Sequence, residues 1–291
     1  MIYNLGSINI DYFYQVPHLP LPGETLAATD HSVGLGGKGA NQSVAIARAG
    51  VAIKHIGAVG GDGDWTVERL ASYGVDTTHI SQSTLPTAHA IINIDPAGEN
   101  AIVIFSGASG AQDPARISAA LSNTSENDIL ILQNETSHQE TAAKIAHKNG
   151  AMVVYSAAPF DMGAVQAVLP YVTLLIVNEV EAAQLSAALD MPLTDIPVPQ
   201  ILITKGAQGA EWHDLQNGGL TRMDAFKVTP VDTTGAGDTF AGYVVAGLSE
   251  GMTPAEAMRL AAAASAIKVT RAGTADAIPV RSEVDAFLEN Q

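Results

Sequence analysis

From Gly36 onward, short apolar runs rich in Val and Ile alternate with helical patterns, and this rhythm restricts the chain more than any other feature. IKHIGAV, ILIL, AMVVY, VTLLIV and QILIT are apolar at successive positions, so both faces of each strand must be covered. Such strands belong to a parallel sheet clothed by helices, the α/β class. Asn41 to Ala49, Trp65 to Tyr73, Pro114 to Leu121, His138 to His147 and Glu179 to Leu189 supply the crossover helices. Met1 to Ile8 reads as the first strand. Gly235 to Val269 is nearly continuous small-residue helix, broken at Gly251 to Pro254, where Thr253 suits an N-cap and Pro254 the first helical position.

Two stretches interrupt the rhythm. Asp11 to Val33 carries Pro17, Pro20 and Pro22 and then an alternating tail, and Thr87 to Phe105 reads as two strands around a PAGE turn. Neither joins a helix-covered parallel sheet easily, so a small separate β-layer is expected, a lid over residues 11–33 and 87–105. Residues 1–10, 34–86 and 106–291 then make the α/β body. The 291 residues, 47% of them hydrophobic and 5% aromatic, suffice for such a core. A formal charge of −16, from 14 Lys+Arg against 30 Asp+Glu, disfavours nucleic acid and anionic membrane as partners. With no cysteine, no signal-like N-terminus and no membrane-length apolar run, the expected place is the cytoplasm.

Two glycine loops carry the chemistry. The first, GLGGKGAN, contains G-x-G-x-x-G at Gly34, Gly36 and Gly39. A dinucleotide loop of that form should follow the first strand directly, and here a whole segment intervenes. A P-loop would need Gly where Ser32 stands and Ser or Thr where Gly39 stands. The second loop, Asp232-Thr-Thr-Gly-Ala-Gly-Asp238, opens the helical TFAGYVVAGL. A Gly-Ala-Gly turn at a helix start points backbone N–H groups at an anion, with Asp238 in the first turn. Asp238 as a plain helix cap is the competing reading.

Three separated motifs, in order, make the chain similar to the ribokinase-like (PfkB) family of sugar and nucleoside kinases over nearly its whole length. They are Gly36-Gly37-Lys38-Gly39-Ala40-Asn41, Asn178-Glu179-Val180-Glu181 and DTTGAGDTF. GSINID, PGET, GGKGANQ and AIKVTRAG resemble the ribose-phosphorylating branch in particular. The resemblance implies a three-layer α/β/α body with a mostly parallel sheet and a small β-sheet lid. Glycines of the first loop would let backbone approach a sugar. Asp238 would be the base for the attacking hydroxyl, and the N–H groups of Gly235, Ala236 and Gly237 an anion hole for the moving phosphoryl.

The same resemblance gives Asn9, Asp11, Gly37, Lys38, Gly39, Asn41 and Glu135 as sugar contacts beside Asp238. Asn9 and Asp11 sit at the end of the first strand, where a turn is the alternative, and Glu135 reads equally as a first-turn carboxylate. On the ATP side it gives Asn178, Glu181, Thr204, Lys205, Gly206, Gly209, Gly237 and Ala262. Asn178 and Glu181 would organise Mg2+ through water and can at the same time form a capping box. Thr204 to Gly209 also suits a hairpin turn. Asp232, Thr234, Lys268, Arg271, Gly273 and Ala277 fall on loops that hold K+ in relatives, with Ala277 where a Ser is usual. Tyr243 and YSAAP also depart from the family pattern. The reading is an ATP-dependent kinase for the 5-hydroxyl of a pentose, foremost D-ribose, working as a homodimer paired through the lid. Fructose, another ketose or a nucleoside is the alternative substrate. A silent sugar-binding sensor and a nicotinamide dehydrogenase are the alternatives of other classes.

Overall fold

A computed structural model describes residues 1–291. Thirteen strands alternate with nine α-helices. The strands are β1 (Ile2–Leu5), β2 (Asn9–Gln15), β3 (Asp30–Gly36), β4 (Ile53–Val59), β5 (Asp76–Gln82), β6 (Ala88–Ile94), β7 (Asn100–Phe105), β8 (Ile129–Gln133), β9 (Met152–Ser156), β10 (Leu174–Asn178), β11 (Gln200–Thr204), β12 (Ala210–Asp214) and β13 (Gly219–Met223). The helices are α1 (Lys38–Arg48), α2 (Asp64–Ser72), α3 (Pro114–Leu121), α4 (Gln139–Lys148), α5 (Met162–Val168), α6 (Glu179–Leu189), α7 (Ala236–Ser249), α8 (Pro254–Val269) and α9 (Arg281–Glu289).

Nine strands form one sheet in the order β13-β12-β11-β10-β9-β8-β1-β4-β5, parallel except where β12 pairs antiparallel with β11 and β13. Its strands are buried on both faces, as their unbroken apolar runs require. One core of 35 residues lies on the side of α1, α7 and α8, and a second of 27 lies on the side of α3 to α6. The layers are therefore α/β/α, as expected. Close packing of α1 on α7 depends on Gly242, where a Cβ would stand 2.5 Å from the Ala45 Cβ. Thr253 and Glu256 form the capping box that starts α8. No helix is long and apolar enough to cross a membrane.

The second sheet has the order β3-β2-β6-β7 and stands apart from the first. The apolar pattern of Met1 to Ile8 suggests one strand, but the chain leaves the large sheet after Leu5 and begins β2 at Asn9. Asn9 and Asp11 therefore project from the small sheet and not from the end of the first strand. Strands β5, β12 and β13 and helices α5 and α9 lie in stretches whose patterns are too short or too polar to read from sequence.

Candidate active site

The entry to α1 brings the small sheet to the body. Gly37 precedes the helix with φ 91°, a conformation glycine adopts without strain. A Cβ on Gly39 would overlap the backbone of Gly6 and Ser7, and one on Gly36 would overlap the Asp11 carboxylate. Both glycines therefore let the chain pack on itself at the site. Strand β1 fixes this entry through Asn4, whose Nδ2 donates to the Gly39 carbonyl at 2.8 Å and to Ser43 Oγ at 2.9 Å.

Asp238 lies in the first turn of α7, after Gly235 with φ 71°, and is 9% exposed. Asn41 Nδ2 donates to its Oδ2 at 3.0 Å and Gln42 Nε2 to its Oδ1 at 3.2 Å. Gln133 Nε2 in turn donates to Gln42 Oε1 at 2.7 Å and to Asn4 Oδ1 at 2.9 Å. A chain of buried amides thus fixes the carboxylate from three elements, which a plain helix cap does not need. Of the expected anion-hole donors, the Ala236 N–H is turned to the Thr233 carbonyl at 3.2 Å, closing the turn before the helix. The N–H groups of Gly235, Gly237 and Asp238 have no backbone acceptor, as first-turn donors do not. Open space lies where a Gly237 side chain would be.

Opposite stands Asp11, 6% exposed, beside Asn9 at 4%. Burial, then the charges of Glu135 and Asp238, push the Asp11 carboxyl up to about 7, and no hydrogen bond from the protein offsets them. Glu135 Oε2 accepts from Ser7 Oγ at 2.5 Å and from the Lys38 N–H at 3.0 Å. The Lys38 ammonium is held above its ordinary value by Asp238 against burial, with Glu135 and Glu181 adding to it. The structure therefore brings Asp11, Lys38, Asn41, Glu135 and Asp238 together, with the buried Asn9 two residues before Asp11 on β2.

A cleft of about 440 Å³ adjoins Gly237, walled by Thr204, Gly206 and Gly209 on one side and Ala262 on the other. Met223, Phe226, Val228 and Phe240 make it largely apolar, with the free N–H groups of the α7 turn at its inner end. A largely apolar slot beside helix-start N–H groups has the chemistry to take a nucleotide. Lys205 is absent from this wall, because its ammonium pairs with Glu211 at 2.9 Å. Asn178 and Glu181 form the capping box of α6, each side chain bonding the other's N–H at 2.9 Å. Burial raises the Glu181 carboxyl, the Asn178 N–H and Lys38 oppose it, and Asp238 adds to it. No three His, Asp or Glu side chains converge to cage a metal. A magnesium ion that keeps its waters and arrives on phosphates fits such a set.

Asp232 joins two loops, its Oδ1 accepting from the Thr234 N–H and its Oδ2 from the Gly273 N–H, each at 2.9 Å. Burial opposes the charge of this carboxylate, but those donors and Lys268 hold it below the usual range. Lys268 is fully buried, and its Nζ donates to the Asp232 carbonyl at 2.9 Å. The Lys268 carbonyl accepts the Arg271 N–H at 3.0 Å, while the Arg271 guanidinium turns outward to Glu283 at 2.6 Å. Ala277 brings no side-chain oxygen, and its N–H bonds the Thr274 carbonyl at 3.1 Å. These residues cluster as expected, and the carbonyls of Thr234, Arg271 and Gly273 accept no backbone hydrogen bond.

Reading by motif passed over Gln42, Gln133, Asn4 and Ser7, although Gln42 directly follows Asn41 in GGKGANQ. Their role comes from being brought together across the fold. The geometry has counterparts elsewhere. The model of the pfkB family carbohydrate kinases matches residues 1–281. The ribokinase of Haemophilus influenzae is 36% identical over 301 residues, covering 98% of this chain and 97% of that protein. The crystal structure of ribokinase from Thermotoga maritima superposes with a TM-score of 0.89 at 34% identity, covering 100% of this chain and 99% of the other. That of the Arabidopsis thaliana ribokinase complexed with ribose and ATP gives 0.86 at 28% identity, covering 99% and 98%. A carboxylate fixed by buried amides near a largely apolar cleft, on a chain matched over residues 1–281, places this protein in the pfkB family of carbohydrate kinases.

Proposed function

We propose that the chain phosphorylates the 5-hydroxyl of D-ribose with ATP. The carrying observation is the placing of Asp238, held by Asn41 and Gln42 between the buried Asp11 side and the nucleotide-shaped cleft. Asn9 and Asp11 receive hydroxyl protons of the sugar, and Asp11 lacks any protein donor to compete with them. Glu135 and Lys38 close that pocket, with Ser7 fixing the carboxylate. The 5-hydroxyl oxygen attacks the γ-phosphorus, the β–γ bridging bond breaks, ADP leaves and the hydroxyl proton passes to Asp238. Such a base is typically worth about 10²–10⁴ in rate. The N–H groups of Gly235 and Gly237 receive the phosphoryl oxygens, and each donor contributes about 3 kcal/mol to the transition state. Magnesium supplies charge neutralisation on the phosphates when bound, with Asn178 and Glu181 the residues nearest to hold its waters. Thr204, Gly206, Gly209 and Ala262 seat the nucleotide.

A coupled ADP-release assay across pentoses, hexoses and nucleosides tests this reading. D-ribose is expected to give the highest kcat/KM. A hexose, ketose or nucleoside above it would replace the substrate, and no sugar-dependent ADP from any of them would leave the sensor.

The small sheet, as residues 11–33 and 87–105 extended to the strand ends, is read as a lid that closes on the sugar and pairs with a second copy. All of β7 is exposed, with Val103 at 66% and Phe105 at 47%. Ile91 and Val33 continue that apolar surface. A free apolar edge of this kind calls for a partner. Light scattering is expected to give twice the 30.1 kDa of one chain, and a single-chain mass would rule the pairing out. A cytoplasmic setting, where ATP is held, suits the same reading.

A further inference from the structure

We infer that Lys268 supplies, as a covalent part of the chain, the positive charge that orders the phosphoryl-binding turn, and that the enzyme therefore works without a monovalent metal ion. The inference rests on the kinase reading of the Gly235–Asp238 turn given above.

The turn that starts α7 is preceded by Asp232, and Asp232 is where negative charge collects. Its carboxylate bridges the Thr234 and Gly273 N–H groups. Its own N–H and that of Val231 bond the Val269 carbonyl at the end of α8, at 3.1 and 2.7 Å. The negative end of the α8 dipole thus points at the same place. A half-buried carboxylate and the C-terminus of a helix favour a cation beside them. Lys268 provides it from the last turn of α8, with none of its surface exposed and its Nζ 2.9 Å from the Asp232 carbonyl. Burial holds the Lys268 ammonium below its ordinary value, and Asp232 and Asp238 partly offset it. A buried lysine is seldom kept without a charge to answer.

Part of the oxygen set around the turn is already engaged. The Asp232 carbonyl serves Lys268, the Lys268 carbonyl serves the Arg271 N–H, and Ala277 offers no hydroxyl. A second positive charge a few ångströms from a buried ammonium would be repelled. Lys268 is a positioning residue, since it acts on phosphate through the turn and touches no reacting atom.

The test uses the full chain in potassium, sodium and choline chloride at matched ionic strength. Magnesium and ATP are saturating, and the sugar is the one found active in the substrate panel. The parent is expected to vary less than about twofold in kcat among the three salts, and its thermal midpoint without ligands is expected to be the same in each. Lys268→Met keeps the stem and removes the charge. It is expected to lose at least about tenfold in kcat in choline and to recover part of it in potassium, with the KM for sugar little changed. Severalfold activation of the parent by potassium over choline would overturn the inference without any variant. So would Lys268→Met turning over like the parent in choline. Should no substrate of the panel be phosphorylated, the kinase reading fails, and the midpoint comparison still decides on the ion. A potassium-specific rise in the parent's midpoint would then overturn the inference, and its absence together with a potassium-specific rise in Lys268→Met would support it.

Discussion

Replacing Asp11 with Asn removes a charge that the free protein holds at a cost, and the size of that cost follows from its surroundings. The side chain is 6% exposed, and burial with Glu135 and Asp238 nearby takes its carboxyl from 3.8 to about 7. A folded-state value above the unfolded one means that the group's contribution is fully present at low pH and is lost as pH rises toward about 7. Each pH unit in that window removes about 1.4 kcal/mol, and the whole displacement is worth on the order of 4 kcal/mol. Asn carries no charge to bury. The stability difference between Asp11→Asn and the parent should therefore grow by about 2 kcal/mol, in favour of the variant, from about pH 5.5 to about pH 8. Thermal midpoints of both proteins without sugar read this, because titrating groups not coupled to Asp11 cancel in the difference. For a domain of this size the change amounts to several degrees. Sugar binding should move the other way. Hydroxyls donating to a carboxylate are worth about 1.5–3 kcal/mol, so the variant should bind D-ribose roughly tenfold to a hundredfold more weakly. Ribose binding to the parent should release a proton near neutral pH, seen as a binding enthalpy that varies with the buffer. A midpoint difference that stays flat with pH, or equal ribose affinities, would refute the reasoning.

Two further substitutions probe the supports of the site. Gly39→Ala should lower the thermal midpoint by the equivalent of about 1–3 kcal/mol or more, because its methyl would meet the Gly6 and Ser7 backbone. Gly61→Ala, with nothing within 4 Å, is the neutral control, and equal midpoints for the two would contradict the packing argument. Gln42→Leu takes away one of the two amides on Asp238 and breaks the chain to Gln133. Steady-state kinetics should show kcat down roughly tenfold to a hundredfold with the KM for ATP little changed.

The body of the fold was legible because its strands are runs of Val, Ile and Leu with no polar face. VTLLIV and ILIL have no other stable place than a sheet covered on both sides. The turn before α7 was legible for a local reason, since Gly235 and Asp238 are three positions apart and define one helix start. What sequence could not give depends on long-range placement. Asn9 looked like the end of a strand because nothing in LGSINID marks where the chain leaves one sheet for another. Gln42 and Gln133 are ordinary polar residues until α1 and β8 bring their amides 2.7 Å apart. Lys268 sits in an alanine-rich helix whose exposed face would accept any lysine, and only the burial of its side chain against Asp232 gives it a task.

The most direct test of the account is the product formed from ATP and D-ribose by the parent and by Asp238→Asn, followed by phosphorus NMR. The parent should give ribose 5-phosphate and ADP in equal amounts. The variant should turn over about 10²–10⁴ more slowly while binding ribose within a few fold of the parent. A phosphoryl group on any other oxygen, or a variant rate within about tenfold of the parent, would contradict the assignment of Asp238 as the base for the 5-hydroxyl.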